Sequence, residues 1–457
     1  MSKEESLDNK GISSRFNTVF RSLQYPNYRL FFTGQSISLI GTWMQRIALP
    51  WLVYNITGSA FLLGLVSFAG QIPTFILAPF AGVLTDRFSK YRVLLITQIV
   101  SLVQALMLAI LTLGGDIRIW HIVVLSIIMG CINAFDVPAR HSFVVEMVEK
   151  KEDLGNAIAL NSLMFNGARI IGPSIAGILL ATAGEGICFL INALSYIFVI
   201  GSLLLMTVQK IQEKKGRTNM LKDLKEGLNY TFGFAPIKYL IMLLAVVSLM
   251  GSSYQVLMPV FAKEILQGGS HTFGFLMGAA GVGALAGAFY LASRETLLKL
   301  GRLIPAATAL FGAGLIILAF SRSFGFSIVL LVIIGLGLML QNAASNTILQ
   351  TITDDDKRGR VMSFYTMAIM GTAPFGSLLG GYLAKLIGTP AAIFIGGMVC
   401  LTGGIFFLKK LPELKKSVRP VYVKMGIIPE VAAGIQTASE PETEPSDLVS
   451  GGSTERF

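Results

Sequence analysis

Charge is scarce along most of this chain. Asp, Glu, Lys and Arg make up 14% of its 457 residues, against about 25% in an average soluble domain, and residues 60–84 and 93–115 contain none of them. A chain so poor in charge and 53% hydrophobic cannot cover itself with a water-compatible surface, which places it in a membrane. Cysteine and histidine are as rare, three of each. Cys131, Cys188 and Cys400 sit singly in apolar runs without a CxxC spacing, which excludes a disulfide framework or a thiolate metal site and leaves small buried hydrophobes. No Gly-x-x-x-x-Gly-Lys-Ser/Thr loop is present, which argues against a self-contained ATP-driven pump. No Ser-His-Asp order carries a nucleophile context, so neither enzyme activity nor a metal or cofactor is expected.

What the chain has instead is apolar length. A helix needs about 20 residues to cross a hydrocarbon core, and twelve runs of that kind recur between residues 30 and 408. Continuous runs rather than alternation exclude a membrane barrel and predict an all-α fold of twelve transmembrane helices. Of the 37 Lys and Arg, 31 fall in segments on the side that holds the N-terminus, while only Arg118, Lys263, Arg322 and Lys385 fall opposite. That asymmetry predicts both termini in the cytoplasm. Basic loops beside anionic headgroups account for the net charge of +11, so no nucleic-acid partner is needed. No signal peptide is expected at the polar residues 1–29, because the first apolar run is too long and lacks a cleavage pattern.

The chain also repeats itself. Gly155, Gly167, Gly172, Gly177 and Gly184 fall on Gly359, Gly371, Gly376, Gly381 and Gly388 at the single offset of 204. The fifth span therefore matches the eleventh, and a separation of six spans makes the halves parallel repeats, the plan of one large transporter class. The expected organisation is a first six-helix half over 30–208, a linker over 209–236, a second half over 237–408 and a tail over 409–457. The linker reads as a short amphipathic surface helix or a simple solvated connector. The tail loses apolar periodicity from Pro412 and is expected to be disordered.

The stretch between the second and third spans, "GVLTDRFSKYRV", resembles the loop of the major facilitator superfamily that reads roughly G-x-L-A-D-R-x-G-R-K. Gly82, Leu84, Asp86 and Arg87 match; Ser89 and Lys90 depart. The resemblance implies a conformational latch, in which Asp86 meets the positive N-terminal end of the eleventh helix while Lys90 and Asp136 extend the network. The alternative is that these charges only set topology. Nearly the whole chain resembles the branch containing enterobactin exporters and macrolide efflux proteins, the transmembrane secretion effectors. "GPSIAG" resembles the G-P-x-x-G-G motif of exporters, with Gly172, Pro173 and Gly177 in a bending gate helix and Ala176 in place of a glycine. A structural kink without any directional meaning is the competing reading.

Arg46 and Arg169 are the basic residues inside the spans, where a central charge costs roughly 2.5 to 3.5 kcal/mol unless it faces water or a partner. Gln35, Ser38, Thr42 and Gln45 share a stripe with Arg46, and Ser162 and Asn166 share one with Arg169. Both stripes are expected to line a substrate cavity; snorkelling or interhelical carbonyls are the alternatives for the arginines. No Asp or Glu lies at that depth, which predicts a positive cavity suited to an anionic or polyhydroxylated molecule. The expectation is a monomeric secondary exporter in the bacterial cytoplasmic membrane, moving a small molecule such as a siderophore, with protons as the family's coupling ion. Asp136 and His121 are the candidates for carrying the proton. Macrolide or multidrug efflux is one alternative, and a non-transporting sensor or scaffold is another.

Overall fold

The computed structural model describes residues 20–207, 228–294, 300–354 and 357–425, of which 78–79, 82–87, 151 and 424 are described by their backbone alone. Among these residues twelve long helices follow one another: α1 (Pro26–Thr57), α2 (Ala60–Arg87), α3 (Lys90–Leu113), α4 (Ile119–Glu146), α5 (Lys151–Thr182) and α6 (Gly184–Leu204), then α7 (Ala235–Ile265), α8 (Ser270–Ala292), α9 (Leu300–Phe320), α10 (Phe324–Ile352), α11 (Arg358–Ile387) and α12 (Thr389–Lys424). Among the described residues, eleven helices are apolar and long enough to cross a bilayer. The one outside that set is α1, whose Gln35, Ser38, Thr42, Gln45 and Arg46 dilute its apolar character. Large apolar side chains such as Ile96, Ile110, Phe198 and Phe289 stand exposed around the bundle, as a lipid-facing surface requires.

Short connections and proline starts set the helices antiparallel. Pro26, Pro236 and Pro390 occupy the first turn of α1, α7 and α12, where the missing N–H has no helical acceptor to lose. The last helix does not stop at residue 408. It runs through Pro412 and Pro420 to Lys424, because Leu411, Leu414 and Val418 form a buried stripe, and Leu411 packs at Gly301. The expected tail therefore begins as helix, and residues 426–457 lie outside the described residues, as does most of the 209–236 linker.

The glycine repeat is the signature of two equivalent halves. A methyl on Gly172 of α5 would lie 3.0 Å from the Ile40 carbonyl oxygen of α1, and one on Gly376 of α11 would lie 2.1 Å from that of Leu249 of α7. A methyl on Gly177 would lie 3.0 Å from Gly274 Cα of α8; on Gly381, it would lie 3.0 Å from Gly64 Cα of α2. Gly184 and Gly388 both have positive φ, 81° and 86°, a conformation that glycine adopts without steric cost. Gly130 of α4 abuts the Gly70 carbonyl of α2, and Gly335 of α10 abuts that of Ala280 of α8. The first half thus maps onto the second as α1 on α7, α2 on α8, α4 on α10 and α5 on α11. The halves meet where α5 crosses α8 and α2 crosses α11 at glycine, since only small residues allow membrane helices to approach so closely.

The repeat is imperfect in one respect. π-Helical turns interrupt α7 at Val247–Gly251 and Phe261–Ile265, and α11 at Met367–Gly371, whereas α1 and α5 are continuous α-helices. Ser248 Oγ of the first turn donates to the Ile369 carbonyl of the third, so the two irregular segments satisfy each other.

Candidate functional site

Two faces of the bundle can be told apart by charge: the basic face, where most of the described Lys and Arg gather, and the far face opposite. Arg46 on α1 lies about 17 Å from the far end of its helix and Arg169 on α5 about 20 Å, at 1.5 Å of rise per residue. Packing brings them together on one aromatic ring. The Arg46 guanidinium sits 4.8 Å from the Trp43 ring centroid and that of Arg169 5.9 Å from it. Phe165 meets the same ring edge-on at 5.7 Å. Gly172 makes this possible: its missing side chain leaves room for Trp43, whose Cβ would lie 2.5 Å from an added methyl. Arg169 and Arg46 lie three residues from Gly172 and Trp43 respectively, one helical turn that turns both toward the ring.

Cation–π contact offsets part of the cost of holding each guanidinium away from bulk water. It also leaves the N–H groups unspent. Among the described residues, neither arginine hydrogen-bonds or pairs with an acid in its surroundings, and Arg46 is exposed. Ser162, exposed, and Asn166, half-buried, continue the α5 face toward the basic side, with the Asn166 amide donating to the Ser162 carbonyl at 2.9 Å.

The α1 stripe divides differently from the expectation. Gln35, Ser38 and Gln45 are buried, and Gln45 donates to Gln104 of α3 at 3.2 Å while accepting from Asn192 of α6 at 2.7 Å. Thr42, half-buried, lies 3.3 Å from the Tyr196 hydroxyl of α6. Successive helical residues point about 100° apart, so Gln45 faces α3 and α6 while its neighbour Arg46 faces α5. Gln45 is thus glue within the first half rather than cavity lining, and Gln35 and Ser38 are buried away from any open surface.

Of the expected latch, Gly82, Asp86 and Arg87 lie among the residues described by backbone alone, with α2 helical through Arg87. Lys90 pairs with Glu146 of α4. Asp136 is buried and accepts from Thr97 Oγ1 at 2.9 Å and Gln98 Nε2 at 2.7 Å, and pairs with Arg140 at 3.0 Å. These two residues tie α3 to α4 inside the first half. Of the gate-helix residues, Gly172 seats α5 on α1, Gly177 seats it on α8, and α5 continues through Pro173 without a break. His121 binds the Arg118 backbone N–H at 3.1 Å at the start of α4, where it caps the helix.

Sequence reasoning missed Trp43 and Phe165. It also missed a set of contacts between the halves at the far face: Trp51 stacks on Phe273 at 5.9 Å, Tyr54 donates to Glu264, and Lys263 donates to Asn55 at 2.8 Å. On the other side of the interface Phe61 meets Tyr382 and Phe68 meets Phe375. Together these contacts close α1 and α2 of the first half onto α7, α8 and α11 of the second at the far face.

Comparison with known proteins agrees with this architecture. The family model of transmembrane secretion effectors matches residues 17–439. The staphyloferrin A transporter of Staphylococcus aureus is 26% identical over 85% of this chain and 97% of its own length. Macrolide efflux protein A of Streptococcus pyogenes is 23% identical over 83% and 96%, and the multidrug efflux pump Tap of Mycolicibacterium fortuitum 25% over 83% and 95%. The crystal structure of a bacterial homologue of the iron transporter ferroportin in an inward-facing state superposes with a TM-score of 0.65 at 17% identity, covering 84% of this chain and 98% of that one. With twelve long helices in two parallel repeats among its described residues and a family match over residues 17–439, the chain belongs to the transmembrane secretion effector family of the major facilitator superfamily.

Proposed function

We propose that the protein is a proton-driven secondary exporter of a small anionic or polar metabolite of the siderophore class, working by alternating access with its basic face in the cytoplasm. The observation that carries this reading is the pair of guanidinium groups gathered on Trp43, with their hydrogen-bond donors left over for a ligand. Carboxylate or catecholate oxygens match those donors in charge and in planar geometry. The named activity of the Staphylococcus aureus relative, a staphyloferrin A transporter, supports the substrate class. The excess of Lys and Arg on one face supports the orientation.

Drug efflux is the second reading, favoured by the aromatic pair Trp43 and Phe165 and by the names of the Tap and macrolide efflux relatives. An export assay in a host lacking its own exporters separates the two, with a catecholate siderophore, a macrolide and a cationic dye, each with and without a protonophore. Siderophore export that the protonophore abolishes, and that Arg46→Gln with Arg169→Gln lowers more than about tenfold, is the expected result. Dye or macrolide export alone, untouched by the two substitutions, would transfer the protein to the drug-efflux class.

A further inference from the structure

The far-face closure has an internal symmetry. The contact of Gly172 with Ile40 and of Gly376 with Leu249 aligns α1 on α7 with an offset of 209. That alignment sets Pro50 on Pro259, Tyr54 on Lys263 and Asn55 on Glu264. The two hydrogen bonds that join the helices, Tyr54 to Glu264 and Lys263 to Asn55, are consequently one contact made twice, once from each half. This is the isologous pattern of a two-fold interface, produced here inside one chain. Lys263 also lies 5.6 Å from the centroid of the Tyr54 ring, its own counterpart, and 5.9 Å from that of Trp51. The π-helical turn Phe261–Ile265 presents Lys263 and the adjacent Glu264 to α1 together.

We propose that Tyr54, Asn55, Lys263 and Glu264 are positioning residues for transport, a gate whose strength sets how often the far face opens, and that Pro50 and Pro259 let this gate move separately from the arginine site. It requires alternating access but neither the proposed substrate nor its direction. The chemistry has diverged between the repeats in a way that suits a gate. Lys and Glu at both pairs of positions would make two ion pairs across the interface, and opening would then separate four charges. Here the second half supplies both charges and the first half supplies neutral Tyr and Asn, so each contact is a charge-assisted hydrogen bond whose ion, already exposed, is rehydrated on release. Glu185 of α6 accepts from the Asn55 amide at 2.8 Å and so aims the Asn55 carbonyl oxygen at Lys263. Pro50 cannot donate to the carbonyl of residue 46, nor Pro259 to that of residue 255. The missing bond in α1 falls between Arg46 and Tyr54, so a load at the arginine can bend the gate segment without unwinding it.

The test uses the full-length protein in lipid nanodiscs with a Cys131→Ser background and spin labels at Asp116→Cys and Ser323→Cys, exposed positions in far-face loops of the two halves. Pulsed electron resonance gives the distance distribution between them. Tyr54→Phe removes only the hydroxyl that donates to Glu264 and should raise the population of the long, open distance about threefold. The exchange Tyr54→Lys with Lys263→Tyr sets a cation of the first half against Glu264 of the second, an ion pair across the interface, and should bring that population to the wild-type value or below, a change that a loss of general packing would not show. A folded Tyr54→Phe chain with the wild-type distribution, or an exchange variant as open as Tyr54→Phe, overturns the proposal. Should the exchange variant fail to fold, Tyr54→Phe decides alone: a rise of about threefold supports the gate, and no rise overturns it.

Discussion

Asp136 is the charged residue whose surroundings decide most at the scale of single side chains. Its described partners Thr97, Gln98 and Arg140 all belong to its own half, so they travel with it when the halves rock. A group can bias a two-state equilibrium only through interactions that differ between the states, and these bonds do not differ. They stabilise the first half instead. Asp136→Ala leaves Arg140 and the Gln98 amide without their shared acceptor and should cost about 3 kcal/mol, the amount typical of breaking a buried ion pair from one side. Asp136→Asn, which keeps an acceptor oxygen, should cost less than half of that. Denaturant unfolding in detergent micelles checks both. The arginines were legible in the sequence because charge stands out in an apolar run. Trp43 was not, since a tryptophan in such a run looks like any other apolar residue until the crossing of α1 and α5 brings two guanidinium groups to it. Gln45 misled for the opposite reason: polarity announces a partner, but the sequence does not say whether that partner is a neighbouring helix or water.

Helices here are positioned by their glycines, and the repeat separates those that touch from those that do not. Gly172 and Gly376 each face the backbone of a neighbouring helix at 3.0 Å or less, while Gly155 and Gly359, an equivalent pair in the same motif, have nothing within 4 Å of an added methyl. Gly172→Ala should therefore push Trp43 off α5 and lower transport at least tenfold, and Gly376→Ala should displace α7 to a similar degree. Gly155→Ala should leave transport intact and, by replacing a glycine inside a helix, raise stability by about 0.5 to 1 kcal/mol. Uptake or export assays paired with thermal unfolding measure the contrast. Matching glycines 204 residues apart made the parallel repeat readable from residue positions alone, because close helix crossing at Gly172 and Gly376 and at Gly177 and Gly381, and a positive φ at Gly184 and Gly388, favour glycine in both halves. The π-helical turns were unreadable. They answer to packing between helices rather than to local sequence: Val247–Gly251 meets Met367–Gly371, and Phe261–Ile265 meets α1.

At the scale of the whole molecule, closure of the far face and the charge asymmetry of the loops make one joint prediction. If the basic face is cytoplasmic, as the distribution of Lys and Arg argues, the α5 stripe below Arg169 is reached by water from the cytoplasm and sealed from outside by the Trp51–Phe273 and Tyr54–Glu264 contacts. A cysteine placed at exposed Ser162 reports on both. Cys188 and Cys400 are buried and Cys131 is only partly accessible, so a Ser162→Cys, Cys131→Ser chain offers one reactive thiol. A membrane-impermeant maleimide should label it rapidly in inside-out vesicles and at least tenfold more slowly in right-side-out ones, since attack requires a reachable thiolate. Equal labelling from both sides would mean that the far face opens freely at rest, and faster labelling from outside would reverse the orientation. Adding Tyr54→Phe should narrow the difference by speeding only the outside reaction, which ties the accessibility of the arginine site to the gate some 12 Å further along α1.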